Sequence, residues 1–220
     1  MESVSSFPIQ KCLRRTILAS DLKRFPSYTH RIHNIRFEPT LLVDVEVIQA
    51  LSMATLHIRP LFPNVKHLVW HSGNIEKAVE TSLLQCIDLF CSRELATLDI
   101  FLRNSFDTTY ASIFSDLINS CPALKDLNFF MHSRNYNESG RRAFSSVICQ
   151  WHTLRSLEVI DLTQEALKHL ATIPSLQRLS FTSLKVQHAV AINVFRSEPG
   201  IPLAGTLPFD LYRFHIVRPK

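Results

Sequence analysis

Six segments carry apolar residues in the order h-x-x-h-x-h, and their spacing constrains the fold more than any other feature of the chain. They are Ile32-Ile35-Phe37, Val65-Leu68-Trp70, Leu95-Leu98-Ile100, Leu124-Leu127-Phe129, Leu154-Leu157-Val159 and Leu176-Leu179-Phe181. In 220 residues that are 46% hydrophobic, the pattern arises by chance about twenty times. Regular recurrence sets these six apart: their first positions follow one another at 33, 30, 29, 30 and 22 residues. Three copies share a lead-in, FPNVKHL from Phe62, CPALKDL from Cys121 and IPSLQRL from Ile173. Proline at that point stops a preceding helix and pushes the residue before it into extended backbone.

Helical patterns separate the extended segments. Ile75, Val79, Leu83, Cys86, Ile87 and Phe90 recur at helical spacing from Asn74. Asp107 is a candidate N-cap for a helix carrying Ile113, Phe114, Leu117 and Ile118. Phe144, Val147 and Ile148 follow Ser139, and Thr163 caps a short helix with Leu167 and Leu170. Each unit reads strand, loop, helix, loop. Parallel strands joined through a helix take a right-handed crossover. Repetition at these intervals predicts an α/β right-handed solenoid, with a parallel sheet on the concave side and helices on the convex side.

The ends are less regular. Ser20-Asp21 opens a short helical stretch expected to end near Pro26, after a strand expected from Leu13 to Ile17. Residues 199–208 hold three of the 11 prolines and two of the four glycines, a loop composition, and Leu211-Phe214-Ile216 is a candidate seventh strand. The division is a basic N-terminal capping unit over 1–36, a repeat array over 37–198, and a proline-rich loop with a candidate last strand over 199–220.

The net charge of +5 sits at one end. Residues 1–36 hold seven Lys and Arg against Glu2 and Asp21, leaving 17 basic and 17 acidic residues in the rest. A nucleic-acid binder spreads basic residues along a face, so this distribution argues against nucleic acid. The basic segment reads as the solvated face of a capping unit. Its sharper reading is a docking surface at Arg14, Arg15, Lys23 and Arg24 for an N-terminal module or an acidic partner. No apolar run approaches the length of a membrane span, and MESVSSFPIQKCLRRT lacks the apolar core of a signal peptide. Five cysteines without a CxxC pair suggest reduced, buried thiols and a cytoplasmic or nuclear setting.

The L-x-x-L-x-L strands joined by helices resemble leucine-rich repeats of the longer, ribonuclease-inhibitor-like or F-box-protein type. SDLKRFPSYTHRIHNIRF from Ser20, VIQALSM from Val47 and LFPNVKHLVW from Leu61 are similar to the repeat region of the fungal F-box/leucine-rich-repeat family. In that family an S-D-W-x-R-F-x-x-Y-A-x-R-I segment precedes the first repeats; here Leu22 stands for the Trp and Thr29 for the Ala. The likeness covers roughly residues 10–185. It implies a protein-interaction module: the substrate-recognition repeats of a receptor feeding targets to a ubiquitin ligase. It also implies an F-box docking on the adaptor of a cullin–RING ligase, and no L-P-x-E-I-L segment is visible. The adaptor is therefore expected as a partner only if an F-box lies upstream. The alternative is a free-standing repeat scaffold or inhibitor with no ubiquitin role.

Enzyme motifs are lacking: there is no GxSxG, P-loop, GxGxxG or HExxH. No catalytic residue, cofactor or metal is expected. His67 and His71 stand four apart on a strand, which separates them along one face. The expected site is the sheet face pointing away from the helices. Strand residues alternate faces, and equivalent positions on neighbouring strands stack about 4.8 Å apart. One column then reads Glu38, His71, Phe101, Phe130, Ile160 and Thr182. The expected patch is Phe101, Phe130 and Ile160, flanked by Asp99, Asp126 and Glu158 and bordered by His67 and His71. It suits a protein target with an apolar anchor and a basic residue.

Overall fold

The computed structural model describes residues 17, 19–23, 25–39, 45–55, 60–104, 106–131, 138–183 and 212–217. Six strands form one open parallel sheet in chain order: β1 (Asn34–Phe37), β2 (His67–His71), β3 (Thr97–Leu102), β4 (Asp126–Met131), β5 (Ser156–Val159) and β6 (Arg178–Ser183). The helices are α1 (Ala19–Leu22), α2 (Phe25–Thr29), α3 (Val45–Ala54), α4 (Lys77–Leu84), α5 (Thr108–Ser120), α6 (Glu138–Ile148) and α7 (Gln164–Thr172). From α3 to α7 each helix packs on the next, so helices flank the sheet in the order of its strands.

The apolar pattern places each strand. Along β2, β3 and β4, buried and half-buried residues alternate strictly. Leu68, Leu98, Leu127, Leu157 and Leu179 share one register row and are buried under the helices. Phe129 continues that face, stacked on Phe144 of α6 at 4.2 Å and meeting Phe106 and Phe114 edge to face. Aromatic rings bury the largest area per residue, so this cluster anchors the middle of the core. Burying a Leu contributes about 1.5–3 kcal/mol, which makes one such row per unit a large share of the driving force.

The lead-ins become turns. Val65, Leu95, Leu124 and Leu176 each donate their N–H to the carbonyl three residues back, so four units enter their strands the same way. Cys121-Pro122 ends α5, and Ile173-Pro174 ends α7 with Ile173 extended at ψ 112°. The expected caps are in place: Asp107 Oδ1 accepts from Thr109 N and Tyr110 N, and Thr163 Oγ1 accepts from Ala166 N.

Several expectations change. Pro26 does not end the first helical stretch; it sits in the first turn of α2, where its missing N–H costs nothing. The pattern from Asn74 to Phe90 is broken into α4 and a 3₁₀ turn at Ile87–Leu89. α3 is a helix for which the spacing indicated no element. β1 straddles the boundary placed at residue 36. A seventh strand, β7 (Tyr212–Val217), does pair with β6, but antiparallel, with Leu179 opposite Ile216 and Phe181 opposite Phe214. Residues 13–16, 24, 40–44 and 184–211, which hold the expected strand from Leu13, the docking residues Arg14, Arg15 and Arg24 and the proline-rich loop, lie outside the described residues.

Candidate functional site

The open face of the sheet is built by register. The first row runs Asn34, His67, Thr97, Asp126, Ser156, Arg178, and the second Arg36, Val69, Asp99, Asn128, Glu158, Ser180. The third row joins His71, Phe101 and Phe130. Strands of this kind present every second residue to one side, so the rows follow directly from where the buried leucines lie.

Two groups of side chains form on this face. His67 Nε2 lies 2.9 Å from Asp99 Oδ2, and Asp99 Oδ1 accepts from Asn128 Nδ2 at 2.6 Å. That chain of contacts crosses β2, β3 and β4 and orients the Asp99 carboxylate. In the second group the His71 and Phe101 rings stack at 5.4 Å and 26°, and the Phe101 and Phe130 rings at 4.8 Å and 12°. Gly73 N–H donates to His71 Nδ1 at 3.1 Å, so the neutral imidazole carries its proton on Nε2. All three rings are half-buried.

Next to the stack lies a groove of about 410 Å³, with Phe101, Leu102, Phe130 and Met131 as its apolar wall and Ser72, Asn74 and Arg103 at its edge. The backbone around it is tightly held. Gly73 has φ +66°, a left-handed conformation, and a Cβ there would meet the Pro39 carbonyl oxygen at 2.9 Å. Only glycine fits the turn without strain.

A buried carboxylate holds the adjoining backbone at Arg103 and Asn104. Glu80 of α4 is fully buried, and its oxygens accept from Arg103 N at 2.9 Å, Asn104 N at 3.1 Å and Tyr110 Oη at 2.8 Å. Burial, with the Glu80 charge beside it, pushes the Tyr110 hydroxyl well above its ordinary range. Nothing in the sequence reading singled out Glu80. Its signal was its place three and four residues before Leu83 and Leu84, on the buried side of α4.

The expected site residues divide. His67 and Asp99 are brought together, as are His71, Phe101 and Phe130. Asp126 and Glu158 stand half-buried in the first two rows. Ile160 does not join Phe130. The β4–β5 pairing stops at Asn128–Glu158, β5 ends at Val159, and Ile160 is only 9% exposed. The chain turns inward there: Asp161 Oδ1 accepts from Leu162 N, and Leu162 is fully buried. The same early ends of β1 and β5 remove Glu38 and Ile160 from the expected column. Toward β6 the face is more covered, with Ser156 and Ser180 buried.

Among the described residues no three His, Cys, Asp or Glu side chains converge on a point where an ion would sit. Cys86, Cys91 and Cys121 are buried and Cys149 half-buried, all as free thiols. The hydrogen bond with Cys121, then burial, raises the Cys91 thiol far above its ordinary range, so it is a poor nucleophile. No described helix is long and apolar enough to cross a membrane. Neither a protein-family model nor a curated protein matches the chain.

Proposed function

We propose that the chain is a protein-recognition module, a leucine-rich-repeat-like solenoid whose open sheet face is concave and binds a protein target. The observation that carries this reading is the His71–Phe101–Phe130 stack, half exposed above a groove and followed along the sheet by Asp99. Aromatic groups grouped on a largely polar face are the usual energetic centre of an interface. Asp99 and Glu158 add negative charge one row away, and Asp126 lies one row further along the same face. The preferred target is a segment with an apolar anchor next to Lys or Arg.

On the resemblance of its repeats to the fungal F-box/leucine-rich-repeat family, the module serves as the substrate receptor of a ubiquitin ligase in the cytoplasm or nucleus. Contact with the cullin–RING adaptor requires an F-box in the same gene product. If the longest product of the gene does not bind the adaptor, the ligase part falls and a scaffold or inhibitor role takes its place.

A random peptide display library panned on the full chain tests the binding surface. Enriched peptides should combine an aromatic or aliphatic anchor with a nearby basic residue. Their affinity should fall about 30-fold or more on Phe101→Ala/Phe130→Ala, since buried aromatic anchors cost over about 1 kcal/mol each when truncated. Enriched peptides that bind this variant as well as the parent would exclude the stack as the recognition centre.

A further inference from the structure

The fold sorts charge in a way that a residue count hides. In successive units the residue just before the strand is Lys66, Ala96, Lys125, Arg155 and Gln177, and Arg178 opens β6. Lys66, Lys125, Arg155 and Arg178 are all exposed, and none makes an ion pair among the described residues. They line one rim of the sheet, at the N-terminal ends of the strands. Among the described residues within three positions before, or at the first position of, β2 to β6, the acids are Glu94 and Asp126.

Backbone hydrogen bonds pin the row. Lys66 O accepts from Ala96 N and Thr97 N at 2.9 and 3.0 Å, Lys125 O from Arg155 N and Ser156 N at 2.7 and 3.0 Å, and Arg155 O from Gln177 N and Arg178 N at 2.8 and 2.9 Å. Each cationic side chain therefore starts from a fixed point on a rigid ladder, and little backbone entropy is lost when a ligand engages it. Lys125 and Arg155 stand on adjacent strands, about 4.8 Å apart at the backbone. Like charges at that distance destabilise a sheet, and a bound anion removes the repulsion.

We infer that this rim binds an extended acidic polypeptide segment. From β2 to β6 it spans four strand steps, roughly 19 Å, which an extended peptide of about six residues covers. Glutamate or aspartate side chains match separate point charges set along a line. Single-stranded nucleic acid fits less well, because its binding sites interleave cations with aromatic rings on which bases stack. The rings of this face, Phe101 and Phe130, lie at the other ends of the strands. The surface is distinct from the proposed target groove and takes the opposite charge.

Fluorescence anisotropy on the full chain tests the assignment. The probes are a labelled Glu-Ser-rich peptide, its Gln-Ser analogue and a single-stranded oligonucleotide of equal charge. The Glu peptide should bind, the Gln analogue should not, and affinity should fall about tenfold between about 50 and 300 mM salt as screening shortens. Lys66→Glu/Lys125→Glu/Arg155→Glu should abolish binding, and the milder K66Q/K125Q/R155Q should weaken it about tenfold or more, with circular dichroism showing both folded. Phe101→Ala/Phe130→Ala should leave it unchanged, which separates this rim from the groove. Glu-peptide affinity within about twofold of the parent in a folded rim variant overturns the inference. So does an oligonucleotide that binds as tightly as the peptide.

Discussion

Replacing Glu80 by Ala should cost more stability than any exposed substitution in the chain. The carboxylate is fully buried and accepts three hydrogen bonds, from Arg103 N, Asn104 N and Tyr110 Oη. Truncation leaves Asn104 N and Tyr110 Oη without that acceptor, each at about 1–3 kcal/mol, and Arg103 N with the longer bond to Ser72 Oγ at 3.2 Å, while removing the cost of keeping a charge out of water. The balance is a loss of about 3–5 kcal/mol, a large part of the roughly 5–15 kcal/mol that holds a domain folded. Glu80→Gln keeps one acceptor oxygen but turns an amide N–H₂ toward a donor, so it should cost about 1–3 kcal/mol. Tyr110→Phe removes one donor and should cost about 1–2 kcal/mol. The double variant Glu80→Ala/Tyr110→Phe should cost less than the two single losses added, because the same hydrogen bond is lost in both. Urea denaturation followed by tryptophan fluorescence and circular dichroism reads these values from midpoint and slope. A Glu80→Ala loss under about 1 kcal/mol, at unchanged slope, would refute the role given to this carboxylate.

Further outcomes follow from individual groups. The Tyr110 hydroxyl is raised in the folded state, so its contribution is intact below the ordinary tyrosine range near pH 10 and is lost as pH climbs above it; one of the four tyrosines should resist titration until the protein unfolds, and Tyr110→Phe should flatten that alkaline slope. Gly73→Ala should cost about 1–2 kcal/mol by the same denaturation assay, from the positive φ and the 2.9 Å approach to Pro39 O. Hydrogen bonds from Arg141 and then Arg142 lower Glu138 to about 2, so its contribution is present above pH 4.5 and fades as pH falls toward 2. Carbon-detected NMR should place that midpoint near 2, and Arg141→Gln should raise it.

Much of the scaffold was legible because its cause is local. Leu98 and Ile100 have to be buried on one face whatever surrounds them, and Asp107 caps the helix that follows it because its short side chain reaches Thr109 N and Tyr110 N. The site was legible only in part. Strand ends cannot be read from alternation, so the column through His71, Phe101 and Phe130 was expected to continue to Ile160, which turns into the core instead. Glu80 was invisible as a buried group because its three partners come from the loop after β3 and from α5, 23 to 30 residues away in sequence. The final strand was expected from its apolar pattern, which carries no information on direction; β7 runs antiparallel.

The strands' spacing and buried faces, the proline turns and the helix caps follow from local pattern, since each depends on residues within about one turn or strand of one another. Tertiary structure decided what lies beside what. Strand register stacks Phe101 on Phe130 and brings Asp99 within reach of His67 on the diagonal, and the packing of α4 brings Glu80 to the backbone of Arg103 and Asn104. Charge shows the difference most clearly. Counted along the chain, the residues after 36 are balanced. Folded into a ladder, the position before the strand brings Lys66, Lys125 and Arg155 to a single rim, because parallel strands in register place equivalent residues side by side.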